Sequence, residues 1–302
     1  MRILAVGYTQ SGQMLEILNR FLIPFSEFEI EYYNLEPQNK FPFPWTAEVF
    51  FDTMPACVLE TEIPLKPYTF KSVKYDLIVL AYQPWFLSPS LPVTALLKLP
   101  EFKRILHDNP VVTLIAGRNM WLNAQESVKQ LIKLGGGRLI GNVPLMDRTA
   151  NLISAVTILH WMLTGKKERK WGFFPKPGVS DDDIASASVF GEIVKKGLVT
   201  QQYGAIQNDI MGTGRIYIPT DILFIEERAK KIFRIWAGLI TKKGTTPAKR
   251  KRLVHFFKYY LLVALFIVAP VLVTVYKLLF APLLGSKIKR KKEYFCGLEL
   301  QQ

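Results

Sequence analysis

Cysteine and histidine are scarce in this chain of 302 residues: two of the first (Cys57 and Cys296) and three of the second (His107, His160 and His255). The cysteines lie far apart in unlike contexts, which excludes a disulfide framework, and no His/Cys spacing makes a metal site. Two nucleotide fingerprints are also missing. The loop after the first apolar run holds only Gly7 and Gly12, so there is no Gly-x-Gly-x-x-Gly, and no Gly-Lys-Ser/Thr of a P-loop occurs. Acidic residues are nearly absent from the C-terminal quarter. From Arg228 onward there are 17 Lys/Arg against 2 Asp/Glu, whereas residues 1–227 hold 22 against 23. The net charge of +14 therefore belongs to the tail alone. That tail lacks the interleaved polar and aromatic pattern of a nucleic-acid groove, so its cations point to an anionic membrane surface and not to nucleic acid.

What is present organises around the first twenty-five residues. Arg2 to Tyr8 is a short run of β-formers, Thr9-Gln10-Ser11-Gly12-Gln13 is small and polar, and Met14, Leu15, Ile17, Leu18, Phe21 and Leu22 recur at helical spacing. This predicts strand, tight loop, helix. Met1 runs straight into the strand pattern, which predicts no signal peptide. Further strands are expected over 29–35, 75–82, 110–116 and 138–145, with helices over 47–59, 93–106, 124–134 and 152–163. Such alternation requires parallel strands with right-handed crossovers. The fold class is α/β, a doubly wound five-stranded parallel sheet over 1–163. Residues 164–245 are read as an appended helical or cap region, with helices near 184–198 and 221–239. Residues 253–285 form a membrane-associated segment: Tyr259 to Tyr276 is free of charge, and Lys249-Arg250-Lys251-Arg252 and Lys287 to Lys292 flank the segment. Nearly equal positive flanks leave open whether this segment spans or lies in the membrane.

Ligands on such sheets sit beyond the carboxyl ends of the strands. Three loops of unusual composition leave those ends, at 8–14, 82–90 and 117–123. In the first, Thr9 and Ser11 offer hydroxyls and Gln10, Gly12 and Gln13 offer backbone N–H groups at the positive end of a helix, which suits a terminal phosphate. The others supply Tyr82, Gln83, Trp85 and Phe86, and Arg118, Asn119 and Trp121, of which the large rings can stack on a planar ligand. Without a dinucleotide or P-loop signature, the layout favours FMN. Each residue also has a plain role: Tyr82 and Trp121 can be core, Asn119 can cap the next helix, and His160 sits among Leu159, Trp161 and Met162 as a packed residue. Phe41 to Trp45 can line an alkyl-chain channel or staple a surface loop. No catalytic residue is identified.

The loop Thr9-Gln10-Ser11-Gly12-Gln13 resembles the flavodoxin phosphate loop, Ser/Thr-x-Thr-Gly-x-Thr, with Met14 where that pattern has a hydroxyl. Residues 1 to about 240 further resemble the bacterial dialkylresorcinol condensing enzymes. The resemblance is carried by Gly7 to Gln13, Phe41 to Trp45, Tyr82 to Ser90, Arg118 to Ala124 and Phe174 to Ser180. It implies a flavodoxin-like fold. It also implies work beside a ketosynthase and an acyl carrier protein on alkyl-chain substrates. The tail lies outside the core resemblance, and its C-terminal segment is expected to anchor the chain on the cytoplasmic side of the bacterial inner membrane. A condensing enzyme of the thiolase type needs a Cys nucleophile with His or Asn partners, and nothing around Cys57 supplies them. Three readings stand: an FMN-dependent aromatisation of a cyclohexanedione formed by the ketosynthase, a membrane-tethered FMN quinone reductase, and a flavin-free scaffold for the ketosynthase and carrier protein.

Overall fold

Five short runs of β-formers pair side by side in the computed structural model, which describes residues 1–300. They are β1 (Arg2–Gly7), β2 (Glu29–Asn34), β3 (Leu77–Tyr82), β4 (Pro110–Gly117) and β5 (Arg138–Met146). Every neighbouring pair is parallel, and the spatial order is β2-β1-β3-β4-β5. This is the flavodoxin-like order, with its topological switch between β1 and β3. Central β3 is buried along its whole length, as its unbroken Leu-Ile-Val-Leu-Ala-Tyr run requires. Edge strand β2 mixes buried Glu31 and Tyr33 with exposed Tyr32.

Twelve helices of the described residues surround the sheet: α1 (Gln13–Leu22), α2 (Ala47–Val58), α3 (Leu91–Lys98), α4 (Pro100–Leu106), α5 (Leu122–Leu134), α6 (Asn151–Thr164), α7 (Asp181–Ala185), α8 (Ala187–Val199), α9 (Tyr203–Gly212), α10 (Thr220–Lys243), α11 (Pro247–Phe280) and α12 (Gly285–Cys296). One sheet face packs Ile3, Ala5, Leu77 and Val79 against α1, α8 and α9. The other packs Leu4, Val6, Ile78 and Leu80 against α3, α4 and α5. A third core joins α2, α10 and α11 through Met54, Ile240 and Phe257.

The expected boundary at residue 163 moves. Phe190, Val194, Ile206 and Ile210, from the region read as appended, complete one face of the sheet. The run 152–163, read as the helix that follows the last strand, lies over the carboxyl edge as α6, where the Trp45 N–H donates to the Met162 carbonyl at 2.8 Å. Apolar residues surround α6 on every side, so their spacing selects no face. The loop after β3 also differs from expectation: Pro84–Trp85 and Ser88–Pro89 form a tiny antiparallel hairpin.

Helix α10 is tied to the sheet domain by a buried carboxylate. The first turn of α5 has no side-chain cap of its own. Glu226 of α10, completely buried, supplies it: Oε1 accepts the Asn123 N–H at 2.7 Å and the Asn123 side-chain N–H at 3.2 Å. The positive end of α5 favours the charge, but Oε2 has no partner. Burial wins and pushes the carboxyl up to about 7.

A carboxyl raised above its unfolded value binds its proton more tightly in the native state. Its contribution is full below the ordinary carboxylate range and is lost as pH rises through about 7. Glu226→Gln keeps the acceptor for Asn123 and removes the titration. Urea midpoints at mildly acidic and mildly basic pH should show the native chain losing about 2 kcal/mol relative to the variant as pH rises. Parallel pH profiles would show that Glu226 does not titrate as the fold demands.

Candidate functional site

The loop after β1 is built to leave hydrogen-bond donors open. Gly12 stands at the N-terminus of α1 with φ 89, and no side chain caps the helix. The Thr9 hydroxyl accepts the Gly12 N–H at 3.0 Å, which folds the loop on itself. Among the described residues, the N–H groups of Gln13, Met14 and Leu15 have no acceptor, and Ser11 Oγ has no partner. A Cβ at Gly12 would meet nothing within 4 Å, so the space beside these donors is open. A phosphate fits there in charge and in hydrogen bonding.

The two glutamines of the loop have other duties. The Gln10 N–H donates to Gln83 Oε1 at 3.0 Å, and Gln10 Nε2 donates to the Pro42 carbonyl at 2.7 Å. The Tyr8 hydroxyl donates to Gln10 Oε1. Gln10 thus straps the loop to Gln83 and to the Phe41–Trp45 segment, and its N–H is no phosphate donor. Gln13 turns its amide away from the loop, accepting the Val179 N–H at 3.0 Å and donating to the Val179 carbonyl at 3.1 Å. Gly178 precedes this contact at φ 87, where a Cβ would stand 2.6 Å from Gln13 Oε1 and 2.8 Å from the Trp161 ring. Only glycine lets the 174–180 segment close over α1.

Beside the loop lies a crevice of about 180 Å³. Gln10, Ser11, Gln13, Gln83, Trp85, Phe86 and Arg118, all expected here from the sequence, line it. Thr9 and Gly12 stand at the phosphate end. The aromatic wall is a cluster in which Trp85 meets Tyr8, Phe41 and Trp45 nearly edge-on, with centroids 5.1–5.7 Å apart. The Trp45 indole N–H is buried in this wall without a partner, an orphaned donor that a ligand acceptor would satisfy. Sequence spacing did not reveal Ile158, Leu159, Trp161 and Met162 of α6, which close the crevice from above.

The hairpin that carries Trp85 is strained. Phe86 (φ 47) and Leu87 (φ 63) occupy the left-handed region consecutively, where a tight two-residue turn wants glycine or asparagine. Such positions cost of order 1–3 kcal/mol each. Lys230 of α10 holds the turn, its Nζ donating to the Leu87 carbonyl and to Ser88 Oγ, both at 3.1 Å. Burial lowers the Lys230 ammonium pKa, opposed by nearby Glu60 and Glu226.

Three expected site residues lie elsewhere. Tyr82 is fully buried, its hydroxyl donating to Gln125 Oε1 at 2.7 Å, and Gln125 in turn donates to Thr113 at 3.1 Å. It anchors a core network and does not face the crevice. Asn119 donates to Asn151 Oδ1 at 2.9 Å, and Trp121 is 2% exposed. Both line a separate cavity of about 280 Å³ with Asp147, Arg148 and Arg215. Side chains alternate along 118–121: Arg118 and Met120 face one side, Asn119 and Trp121 the other. Arg118 itself sits where the crevice meets an apolar groove of about 330 Å³ roofed by α11. Its Nη1 donates to the Asn151 carbonyl at 2.9 Å. Burial lowers the guanidinium to about 10, opposed by Asp147 and Glu226, so it stays charged at neutral pH.

Lys230→Met removes both bonds to the strained turn. It should lower unfolding stability by about 1–3 kcal/mol and speed proteolytic nicking at Phe86–Leu87. A turn that stays protected in the variant would mean that packing alone holds it.

No protein-family model and no curated protein matches the chain. Solved structures that resemble it include a flavoprotein in complex with FMN from Lactobacillus acidophilus, at 15% identity and TM-score 0.38, covering 47% of this chain and 92% of that one. A flavodoxin from an archaeon matches at 9% identity and TM-score 0.38, covering 66% and 99%. The Trp repressor binding protein of Bacillus subtilis matches at 13% and 0.31, covering 54% and 98%. Likenesses this distant carry no assignment of ligand or reaction.

Proposed function

We propose that this chain is an FMN-binding oxidoreductase acting on an apolar, alkyl-tailed ring compound. The observation that carries the proposal is continuity. The crevice beside the open helix end and the apolar groove under α11 share Phe50, Pro84, Phe86, Arg118, Ile158 and Leu159. A polar end with open helix N–H groups, an aromatic middle and a long apolar extension are thus joined through shared walls.

The residues fit FMN. The N–H groups of Gln13, Met14 and Leu15, with the hydroxyls of Ser11 and Thr9, would hold its phosphate. Met14 adds no hydroxyl, so the backbone supplies more of the cradle than in the flavodoxin pattern. Trp45, Phe50, Trp85, Phe86 and Trp161 would flank the ring, with the orphaned Trp45 N–H as a donor. When bound, FMN supplies a two-electron acceptor that takes a hydride. The protein's own part is to exclude water with this wall and to present the Arg118 cation to a carbonyl or enolate oxygen of the substrate. The groove would receive the alkyl chain.

Resemblance to the dialkylresorcinol condensing enzymes supplies the finer reading. The substrate would be a dialkylcyclohexanedione released by a partner ketosynthase from carrier-protein-bound chains, which becomes a resorcinol on losing two hydrogens. Condensation itself is disfavoured. Cys57 is completely buried, and burial pushes its thiol up, away from the thiolate that a nucleophile needs. The work would take place at the cytoplasmic face of a bacterial inner membrane, where such lipophilic rings collect.

Purified full-length protein should be yellow, with a flavin absorbance band that survives gel filtration. A colourless protein that FMN does not reconstitute overturns the redox reading and leaves a scaffold. Reduction of the flavin by a dialkylcyclohexanedione without nicotinamide supports aromatisation. Bleaching by nicotinamide with quinone turnover instead makes it a quinone reductase. Ser11→Ala should weaken FMN affinity at least tenfold, the loss of one hydrogen bond to a charged group, with the melting temperature unchanged. Arg118→Met should retain FMN and lose dione-dependent reduction.

A further inference from the structure

Helix α11 contains an uncharged stretch of mean hydropathy 2.4, long enough to cross a bilayer. Its attachments do not suit a crossing. At its start, Arg250 pairs with Asp52 at 2.6 Å and Lys251 with Glu48 at 3.0 Å. Phe257 packs on Phe233 and Trp236 of α10, each at 5.7 Å between centroids. Nineteen residues later, Tyr276 stacks on Phe224 at 3.9 Å and Lys277 bonds Asp221 at 3.1 Å. The two helices therefore run antiparallel: their contacts span 19 residues of α11, about 28 Å, and 15 of α10, from Asp221 to Trp236, about 22 Å, most of the thickness of a hydrocarbon core. Over that length α10 carries Asp221, Glu226, Glu227, Arg228, Lys230, Lys231 and Arg234. A crossing α11 would either leave α10 or draw these charges into hydrocarbon, at about 2.5–3.5 kcal/mol or more for each one near the centre.

The chain after α11 returns to the same body. A turn at 281–284 leads into α12, where Lys291 pairs with Glu227, the Tyr294 hydroxyl bonds Glu126, and the Cys296 carbonyl accepts from Gln207 at 2.7 Å. Both basic clusters are thereby fixed on the side of the sheet domain. The outer face of α11 is left with Val263, Phe266, Ile267, Val271, Leu278 and Leu279 exposed at helical spacing, while exposed Lys249, Lys251, Arg252, Lys287, Lys289 and Arg290 lie at its two ends.

We propose that α11 is an in-plane anchor: its inner face stays on α10, and its outer face sinks into one leaflet of an anionic membrane. Both basic clusters and the whole sheet domain remain on that side. The occupant of the exposed face is lipid. The face is uncharged from end to end, and cations stand at both its ends, where anionic headgroups would meet them. Pro270 fits this placement. Its missing N–H falls just after a π-helical turn at Ala264–Val268, which loosens the helix without breaking it. The inference rests on the membrane reading of this segment and is independent of the flavin reading, which absorbance tests separately.

The test uses full-length protein with Cys296→Ser, leaving only buried Cys57, and single cysteines at exposed Lys74, Ala248 and Ser286. In inside-out membrane vesicles a membrane-impermeant maleimide should label all three, and in intact right-side-out vesicles none. Labelling of Ser286→Cys from the side opposite Lys74→Cys overturns the proposal and makes α11 a span. In a second measurement, purified protein should sediment with phosphatidylglycerol vesicles at least tenfold better than with phosphatidylcholine vesicles. Ile267→Glu with Val271→Glu should abolish sedimentation while the circular-dichroism melt is kept. Failure of the native chain to sediment, with a dimer in solution, overturns the proposal in favour of a second copy covering the face. Unchanged sedimentation of the double variant also overturns it.

Discussion

One helix carries the constraints on which the rest of the structure depends. Within two turns of α10, Glu226 caps α5 and Lys230 clamps the strained Phe86–Leu87 turn. Farther along, Phe233 and Trp236 seat α11. Removing α10 would leave the positive end of α5 uncapped, the crevice wall unsupported and the apolar helix without its inner partner. The helix begins after the sheet is complete in sequence, yet it fixes the geometry of the sheet's carboxyl edge.

The charges involved are expensive where they lie. Glu226 has one oxygen without a partner, Lys230 is 8% exposed, and Arg118 makes one strong hydrogen bond. Buried ions of this kind add little net stability and cost much when one member is removed. Their mutual placement explains why they coexist. Asp147 and Glu226 oppose the desolvation of Arg118, and Glu60 and Glu226 that of Lys230, so the side chain that caps α5 also supports the cation at the mouth of the groove. The low dielectric that makes these groups costly also strengthens the field that Arg118 presents to a ligand oxygen.

The sheet was legible in the sequence because each strand is a bounded run of β-formers and each crossover a helix-length segment. The open loop was legible for the same reason: polar Thr9 to Gln13 interrupts two apolar patterns at one point. The placement of α6, α8 and α9 was not, because all three are apolar enough to cover a sheet face. The choice among them depends on Gly178, Gly191 and Gly197, whose close contacts with Gln13, Phe21 and Ile206 only the folded chain displays. Loop composition brought the right residues to the crevice from 8–14 and 82–90. It failed for Asn119 and Trp121 because side chains alternate along this loop, which sends every second one away from Arg118, and for Tyr82 because a tyrosine at a strand end can point into the core as readily as out of it.

A flavodoxin-like sheet normally meets its ligand across open loops. Here α6 lies over the crevice, the 174–180 segment closes against α1, and α11 roofs the groove that leads away. A groove lined by apolar residues, apart from Arg118 and Arg228, runs beneath the helix whose other side is exposed and uncharged. If that outer side rests on lipid, the groove lies on the inner side of the same helix, next to the membrane in which an alkyl-tailed ring partitions. A compound could then slide from bilayer to crevice without crossing water. On the proposed reading, two features that look separate in the sequence, a polar loop at the start and a basic, apolar tail at the end, serve a single path.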